Sequence, residues 1–531
     1  MSSDNTKKSN ETFDRYRKNR PIDIVNTLYL IFIATIFSFY MHNKYFDITG
    51  TRARTFITGS MMFIILAIVS YVIEIVMINY FGSVEPIVFK DTKVPFMPEF
   101  WALMFLVSNT TAFCMSFDKP ASWSGENGRY FGLGFVLVIV LMFIVLCQQC
   151  NIDLYAYIAL FLVFSFAMII AFLQHFGNDP FELCVDIVDR QKEMFISLFG
   201  NINTFGSYIC LATPIFVAVF IFNENVLPRV FAAIALVESG FGIIATKSDN
   251  VYMGLGVAFV LLFYVAINNK KLTEYLFAVA FLFAGLEIMA ILNVKLGGSR
   301  KHLNGIAVYL GNPKYMTIFF IAIIVILVLA IIFRAINYEA YKKIQCKIFL
   351  IIFTVVMVAS IVAVVVLGIK SGNSLFVFND YWGTYRGYIW RRSITLFQNA
   401  TPMQRIFGYG NETIGKLMSD GYYDEMIQIT GRKYDNLHCE LLQYMITTGI
   451  FGLITHVGFV STSFAYIGKR MKGDPIAIAC LASAVSYFTQ SLVNLNQPIT
   501  TPYFYVVLAA GVGYVRYKAQ GYGVFKEKAE N

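Results

Sequence analysis

The strongest constraint on this chain is a series of apolar runs, each about 20 residues long. Fourteen of them can be marked along the 531 residues, at 22–42, 55–80, 98–117, 131–150, 155–176, 204–222, 230–246, 252–267, 273–293, 315–333, 348–369, 441–467, 475–492 and 501–514. A helix of about 20 residues crosses the hydrocarbon core of a bilayer and satisfies its own backbone hydrogen bonds there. The sequence therefore predicts an all-α, polytopic membrane protein with about 14 transmembrane helices.

The composition supports this class and excludes others. Hydrophobic residues make up 57% of the chain and charged residues only 14%, whereas about a quarter of a typical soluble domain is charged. A disordered chain, a collagen-like fibre and an ordinary soluble enzyme are excluded. The first run is too long for a cleaved signal core and no small-residue cleavage site follows it, so we expect a retained anchor.

The basic residues predict the orientation of the chain. They collect on one side of the predicted spans, in the tail 1–20, at Lys270 and Lys271, and in segments 334–347, 469–472 and 515–531. By the positive-inside rule, both termini of this multi-pass protein of the cell membrane are predicted to be cytoplasmic. Four charges do not fit, because Arg52, Arg54, Arg300 and Lys301 would face outward. The net charge of +9 is scattered, so no nucleic-acid partner is expected.

One connection is much longer than the others and divides the chain. We predict a cytoplasmic tail at 1–20, helices 1–11 at 21–369, a large extracytoplasmic loop with short helices at 370–436, helices 12–14 at 437–514, and a second cytoplasmic tail at 515–531. Long connections in compact folds are usually functional. The functional site is therefore expected in or beside 370–436.

The cysteines indicate neither a metal site nor a disulfide framework. Seven of the eight lie in or beside apolar runs, where cysteine acts as a small hydrophobic residue. Cys147 and Cys150 have metal-site spacing, but no second Cys or His pair accompanies them. No metal and no cofactor are expected.

The long loop contains an arginine at the start of a short helix. Apolar residues recur after Arg386 at Ile389, Trp390, Ile394 and Phe397, a spacing typical of an amphipathic helix on a membrane surface. The planar fork of donors on an arginine suits a phosphate. An interfacial arginine that reaches toward water is the alternative interpretation.

A histidine follows at the end of the loop. Asp435 or Asn436 is a suitable N-cap, which predicts His438 in the first turn of a helix. A helix N-terminus disfavours imidazolium, so His438 is expected to be neutral and able to act as a general base. Gly449 and Gly452, deeper on the same helix, would let a neighbouring helix approach. A capping-region histidine beside a packing motif remains the alternative.

Together these motifs resemble the bacterial O-antigen ligase and O-antigen polymerase superfamily. His438, Gly449 and Gly452 match its histidine signature, although Cys439 stands where the family usually has Asn, Ser or Gln. The Arg-Gly-x-x-Trp stretch from Arg386 to Trp390 and the turn at 408–410 match its other motifs. The resemblance runs from about 128 to 514.

This resemblance implies a membrane glycosyltransferase of the outer face, with a donor glycan on undecaprenyl diphosphate and no metal or nucleotide. His438 would be the base and Arg386 the cation that stabilises the leaving diphosphate. The family's second arginine is replaced by Asp249, so Lys247 or Arg129 is the candidate for its role. Further candidates for binding the donor diphosphate or glycan are Arg391, Arg392, Asp435 and Trp390. The lipid bilayer and other polysaccharide-assembly proteins are the implied partners.

The motifs leave open polymerisation, ligation and transport, and, as a further class, a receptor or purely structural membrane protein. Frequent Ile, Lys and Phe indicate a low-GC genome; a host without lipopolysaccharide would lack a ligase acceptor, which favours polymerisation of the repeat units over ligation. A lipid-linked oligosaccharide flippase or another transporter is the alternative of a different class. Glu74, Glu238 and Glu287, in or near apolar runs, would be its ion sites.

Overall fold

The computed structural model describes residues 20–81, 96–125, 129–296, 303, 305–344, 354–355, 362–363, 365–372 and 376–519. Within these ranges the chain is helical, and the β structure consists of one isolated bridge between Phe195 and Asn201. The predicted all-α polytopic membrane fold is confirmed.

The first half of the described chain contains α1 (Pro21–Ala34), α2 (Ile36–Phe39), α3 (Ile48–Phe81), α4 (Pro98–Met115), α5 (Lys119–Ser124), α6 (Leu133–Leu146), α7 (Leu154–His175), α8 (Asp189–Lys192), a 3-10 turn (Ser197–Phe199), α9 (Ile202–Phe222), α10 (Val226–Thr246), α11 (Asn250–Asn268) and α12 (Leu272–Lys295). The second half contains α13 (Ala307–Leu310), α14 (Pro313–Ile336), α15 (Tyr338–Ile344), α16 (Trp382–Asn399), α17 (Pro402–Phe407), α18 (Ile414–Thr430), α19 (Glu440–Thr447), α20 (Gly449–Gly468), α21 (Pro475–Ser491) and α22 (Thr501–Ala519).

Nine helical segments among the described residues are long and apolar enough to cross a membrane. Four further helices, α4, α6, α21 and α22, lie where spans were predicted but are shorter or less apolar. The predicted span 348–369 lies largely outside the described residues. So do the tail 1–19, Arg300, Lys301 and the end of the C-terminal tail from 520.

Helix α9 lies at the centre of the bundle. It is almost entirely buried and packs against α10, α11 and α21. Its flanking residue Asn201 caps it by accepting the N–H of Asn203 at 2.8 Å. The other long helices keep a lipid-facing side, since α14 buries only a small part of its surface.

The predicted span 441–467 is not one helix. Helix α19 ends at Thr447, and α20 begins at Gly449, whose φ is +69°. Glycine is the residue that adopts this left-handed conformation without steric cost. A Cβ at Gly449 would also collide with the carbonyl group of Ile406. The expectation that Gly449 and Gly452 lie on one continuous helix below His438 was therefore wrong.

One arginine that did not fit the predicted orientation is inside the protein. Arg52 is fully buried, donates to the carbonyl oxygens of Ser38 and Leu198, and lies over the ring of Phe37. It is therefore not a solvated charge on an outer loop, whereas Arg54 is exposed. The cytoplasmic placement of both termini stays a prediction.

The three intramembrane acids all have partners. Glu74 pairs with Arg20, Glu238 accepts the Ser165 hydroxyl at 2.7 Å, and Glu287 accepts the Thr317 hydroxyl at 2.6 Å. Carboxylates with a local partner inside a bundle are a structural solution to burial. Each acid therefore has a structural role in joining neighbouring parts of the bundle, and ion transport is not needed to explain it.

A buried ion pair joins the last helix to α4. Both terminal nitrogens of Arg516 donate to the Glu99 carboxylate, at 2.5 and 3.0 Å, and Arg516 also contacts the Cys147 carbonyl oxygen at 2.8 Å. The Arg516 side chain is buried. Removing one partner of such a pair leaves a buried charge without its counter-ion.

We expect Glu99→Gln to lower the free energy of unfolding by about 3 kcal/mol, the typical cost of breaking a buried pair. The measurement is thermal denaturation of the purified protein in detergent. Glu339→Gln is the matched control, because Glu339 forms an exposed pair with Lys342 within one helix and should leave the midpoint unchanged. Equal shifts in the two variants would contradict a structural role for the Glu99–Arg516 pair.

Candidate active site

A second, smaller core fixes the long loop to the bundle. Helices α16 and α18, the 434–437 segment and α19 contribute its buried residues: Tyr388, Ile389, Ile414, Met418, Met426, Tyr434, Leu437 and Ile446. Burial of these side chains holds the loop helices in one arrangement. The loop predicted at 370–436 therefore contains a folded unit that continues to Ile446.

The glycine turn of the loop lies against the end of α19. The backbone N–H groups of Tyr409 and Gly410 donate to the carbonyl oxygens of Ile446 and Thr447, at 3.1 and 2.9 Å. A Cβ at Gly408 would collide with the Thr447 carbonyl group. The 408–410 motif thus packs its backbone directly against the backbone of α19, and the absence of a side chain at Gly408 permits this contact.

Arg386 stands at the first regular turn of its helix. Residues 383–385 have left-handed backbone angles, with φ of 57°, 59° and 71°, so regular α-helix geometry begins at Arg386. A Cβ at Gly387 would collide with the carbonyl oxygen of Asn379, which explains glycine after the arginine. The buried side of the helix includes Tyr388 and Ile389, but Ile394, expected on the same side, is 45% exposed.

His438 is not in the first turn of a helix. Helix α19 begins at Glu440, Cys439 occupies its N-cap position, and His438 itself has a left-handed φ of +50°. The His438 N–H donates to the Asn436 side-chain oxygen at 2.8 Å. That local hydrogen bond competes with helix formation and delays the helix start. The predicted N-cap, Asp435 or Asn436, was therefore wrong, because the helix starts three or four residues later and leaves His438 just before its N-cap Cys439.

The charge state of His438 follows from its surroundings. Burial is the main cause that lowers the pKa of this imidazole to about 3, and the charge of Arg386 lowers it further. Arg129 and Arg432 act in the same direction, while Asp435 opposes them. His438 is neutral at pH 7, as expected from the sequence, but burial and arginine charges are the cause rather than a helix terminus.

One aromatic residue contacts the ring of His438, and a second contacts the backbone next to it. The Tyr434 and His438 rings lie edge to face with their centroids 6.1 Å apart. The Tyr434 hydroxyl accepts from Arg432 Nε at 2.9 Å and donates to the Thr384 carbonyl oxygen at 3.4 Å. Trp390 Nε1 donates to the carbonyl oxygen of Leu437 at 2.9 Å. Trp390 therefore positions the peptide that precedes His438.

Arg129 reaches the site from the segment before α6. Its guanidinium pairs with Asp435 at 2.9 Å, and its backbone N–H donates to Glu412 Oε2 at 2.7 Å. Glu412 belongs to the loop and has a left-handed φ of +57°. This contact ties the membrane bundle to the loop beside His438.

The remaining candidates have other surroundings. Arg391 pairs with Asp380 at the surface. Arg392 pairs with Glu425 and lies over the rings of Tyr388 and Tyr422. Both guanidiniums are thus engaged by loop carboxylates.

Lys247 and Asp249 lie in the connection between α10 and α11. Lys247 is buried at the C-terminal end of α10, with a left-handed φ of +53°. Asp249 accepts the Ile306 N–H at 3.1 Å, and its charge acts on the Arg386 guanidinium. The Asp249 carboxylate is therefore one of the charges that act on Arg386, although burial is the main influence on the pKa of that guanidinium.

Sequence reasoning missed Arg432, Tyr434 and Glu412. All three flank recognised motifs, since 432 and 434 lie just before the histidine signature and 412 follows the glycine turn. A basic and aromatic cluster next to a candidate base is the signal that would have found the first two. Among the described residues, no group of three or more His, Cys, Asp and Glu side chains is arranged to hold a metal ion.

Part of the chain, including this site, matches the model of a known protein family. Residues 301–457 match the family model described as O-antigen ligase, and that stretch contains Arg386, the 408–410 turn and His438. The resemblance inferred from the motifs is confirmed for this region, and it supports glycan transfer at a membrane. The resemblance between 128 and 300 and beyond 457 lies outside the match. No curated protein matches the chain.

The Glu412 carboxyl should make stability depend on pH. Burial raises its pKa from 4.5 to about 7, so between these values the folded state holds a proton that the unfolded state releases, and stability falls as the pH rises. Glu412→Gln removes this titration. We expect wild type and variant to melt nearly together at pH 4.5, and the variant to melt a few degrees higher at pH 8.

The control for this comparison is Glu182→Gln, whose side chain is 75% exposed. It removes an exposed carboxylate from a connection between helices and leaves the buried carboxyl groups in place. A difference in melting temperature between wild type and Glu412→Gln that is independent of pH, or that has the opposite sign, would contradict the buried-carboxyl assignment.

The N-cap of α19 offers a gain in stability. The Cys439 sulfur makes no capping hydrogen bond of standard geometry, although the backbone N–H groups of Leu441 and Leu442 act on the thiol; a serine hydroxyl is a stronger acceptor for these first N–H groups of the helix. We expect Cys439→Ser to stabilise the fold by about 0.5–1 kcal/mol, measured by thermal denaturation. Cys114→Ser, at an exposed thiol, controls for loss of a cysteine; a Cys439→Ser midpoint no higher than that control would argue against the cap.

Proposed function

We propose that this protein is a membrane glycosyltransferase that polymerises oligosaccharide repeat units carried on undecaprenyl diphosphate. Transfer takes place on the outer face of the cytoplasmic membrane, with both termini in the cytoplasm, without a metal, and with inversion at the anomeric carbon. The observation that carries the proposal is the set of groups around His438: burial keeps its imidazole neutral, the charges of Arg386, Arg129 and Arg432 from three segments lower its pKa further, and the Tyr434 ring lies edge to face with it. The family match at 301–457 supports it.

The arginine charges suit a diphosphate leaving group. In the reaction, an acceptor hydroxyl oxygen bonds to the anomeric carbon while the bond from that carbon to the diphosphate oxygen breaks. The bonding electrons leave with the diphosphate, where fixed cations stabilise the growing negative charge. Arg386, at the start of α16, is the main candidate for this cation, and His438 accepts the proton of the attacking hydroxyl.

The low pKa of His438 is compatible with this role because the substrate is an anion. In the free protein the arginine charges disfavour imidazolium. A bound diphosphate offsets those charges and adds negative charge beside the ring, which raises the pKa of His438 above its value in the free protein, while the lowering by burial remains. His438 thus becomes a stronger base when the donor is bound.

Arg129 is the better candidate for the second cation. Its charge acts on His438, and its ion pair with Asp435 is partly exposed, so a phosphate can compete for the guanidinium. Lys247 is buried at the end of α10. Asp435 acts through Arg129, and Trp390 through the Leu437 carbonyl, so both are positioning residues in this proposal.

Ligation to a separate acceptor is the second candidate within the same family, and the two reactions differ only in what supplies the attacking hydroxyl. Transport of the lipid-linked glycan is the candidate of another class. The paired Glu74, Glu238 and Glu287 give no support to transport.

The test uses the purified protein in lipid nanodiscs with one lipid-diphosphate repeat unit as the sole sugar substrate. We expect a polymer ladder on a gel, reduced at least about 100-fold by His438→Asn or Arg386→Gln, the usual range for a lost base. Asparagine is the preferred replacement at His438 because it tolerates the left-handed backbone. His42→Asn and Arg405→Gln, at exposed positions, are the matched controls.

Each alternative gives a distinct result. A ladder that persists in both site variants would sink the proposed roles of His438 and Arg386. Transfer that begins only when a second acceptor is added identifies a ligase. The absence of any covalent product under both conditions moves the assignment to transport.

A further inference from the structure

A cluster of aromatic rings covers the outer loop next to His438. The Phe378 and Trp382 ring centroids lie 5.6 Å apart, and those of Trp382 and Trp390 lie 5.2 Å apart. Phe378 also stacks on Trp390 at 6.3 Å. We call Phe378, Trp382 and Trp390 the aromatic platform. Phe378 is 59% exposed, whereas Trp382 and Trp390 are half-buried, so the cluster presents part of its ring surface to the outside of the protein.

The platform is joined directly to the candidate active site. Trp390 lies one helical turn after Arg386, a rise of about 6 Å along the axis. Its indole N–H donates to the carbonyl oxygen of Leu437 at 2.9 Å, and Leu437 immediately precedes His438. A molecule on the platform would therefore lie beside the segment that carries His438.

Charged and polar groups border the same surface. Asp380 lies between Phe378 and Trp382 in the sequence and pairs with Arg391, whose side chain is 52% exposed. Asn379 accepts the Tyr381 N–H at 3.0 Å. Insertion of this surface into hydrocarbon would desolvate the ion pair at a cost. A sugar offers the matching chemistry, with an apolar C–H face for the rings and hydroxyls for the charged rim.

We propose that the aromatic platform binds the glycan chain beside the reacting sugar, with C–H faces on Phe378 and Trp382 and hydroxyls on Asp380 and Arg391. The occupant is an oligosaccharide or polysaccharide, and the identification rests on the proposed function. Because the platform touches the glycan and not the diphosphate, it governs substrate affinity and the length of polymer retained.

The first test measures binding without chemistry. The probe is a set of oligosaccharide fragments of the host's own surface polysaccharide, free of lipid and diphosphate, titrated by calorimetry into the full-length protein in nanodiscs. We expect Phe378→Ala and Trp382→Ala each to weaken binding at least fivefold, and Trp382→Phe to restore most of it. Tyr155→Ala is the control, because Tyr155 is an exposed aromatic residue in the first turn of α7. This variant should bind the fragments as wild type does.

Two further measurements separate this inference from the proposed function. His438→Asn should bind the free fragments as wild type does, because the fragments lack the diphosphate and do not depend on the base. Fragment binding therefore tests the platform separately from the polymerase assignment. In the polymerisation assay, Trp382→Ala should raise KM at least fivefold with kcat within about twofold, a split that follows from loss of binding shared by ground and transition states. Unchanged binding in both alanine variants would overturn the platform even with a normal polymer ladder.

A bilayer anchor is the competing result. Brominated lipids quench tryptophans that contact the hydrocarbon region. Strong quenching that disappears in Trp382→Phe would show that the platform faces lipid, and it would overturn a glycan site. Absence of Trp382-dependent quenching, together with fragment binding that Trp382→Ala weakens, supports the proposal.

Discussion

The attachment of the long loop to the end of α19 is the constraint on which the site depends. Backbone hydrogen bonds from Tyr409 and Gly410, together with the small core around Leu437, hold the loop against the bundle. Glycines at 408 and 449 permit this approach because a side chain at either position would strike the opposing backbone. Without this contact, Arg386 and His438 would belong to independent segments of a long connection.

The site concentrates positive charge and backbone strain in one place. Arginines from three segments act on His438, and Asp435 opposes them. His438, Glu412 and residues 384–385 all have left-handed backbone angles that non-glycine residues rarely adopt. Such conformations cost of order 1–3 kcal/mol each and persist where the surrounding structure enforces them. Their clustering beside a neutral imidazole fits a preorganised anion site.

Several features were predictable from local pattern alone. Apolar runs located the helices, because the bilayer permits few alternatives to a helix of that length. The stretch from Arg386 to Trp390 and the glycines at 408 and 449 were recognised as motifs, although Gly449 stands at the break between α19 and α20 and not within one continuous helix. The helix start near His438 was not predicted correctly, because the Asn436 side chain bonds the His438 backbone and shifts the helix to Glu440. Asp435 and Asn436 both have side chains suited to an N-cap, and local capping rules did not indicate that the cap would lie later, at Cys439.

The sequence by itself determined the membrane class, the position of most spans and the residue types available to the candidate site. Only the tertiary structure decided which of those residues meet. It placed Arg129 and Arg432 where their charges act on His438, paired Arg391 and Arg392 with Asp380 and Glu425, and placed Asp249 where its charge acts on Arg386. The physical reason is that hydrophobicity and helix periodicity are properties of neighbours in sequence. Electrostatic contacts depend on distances between segments that only packing sets.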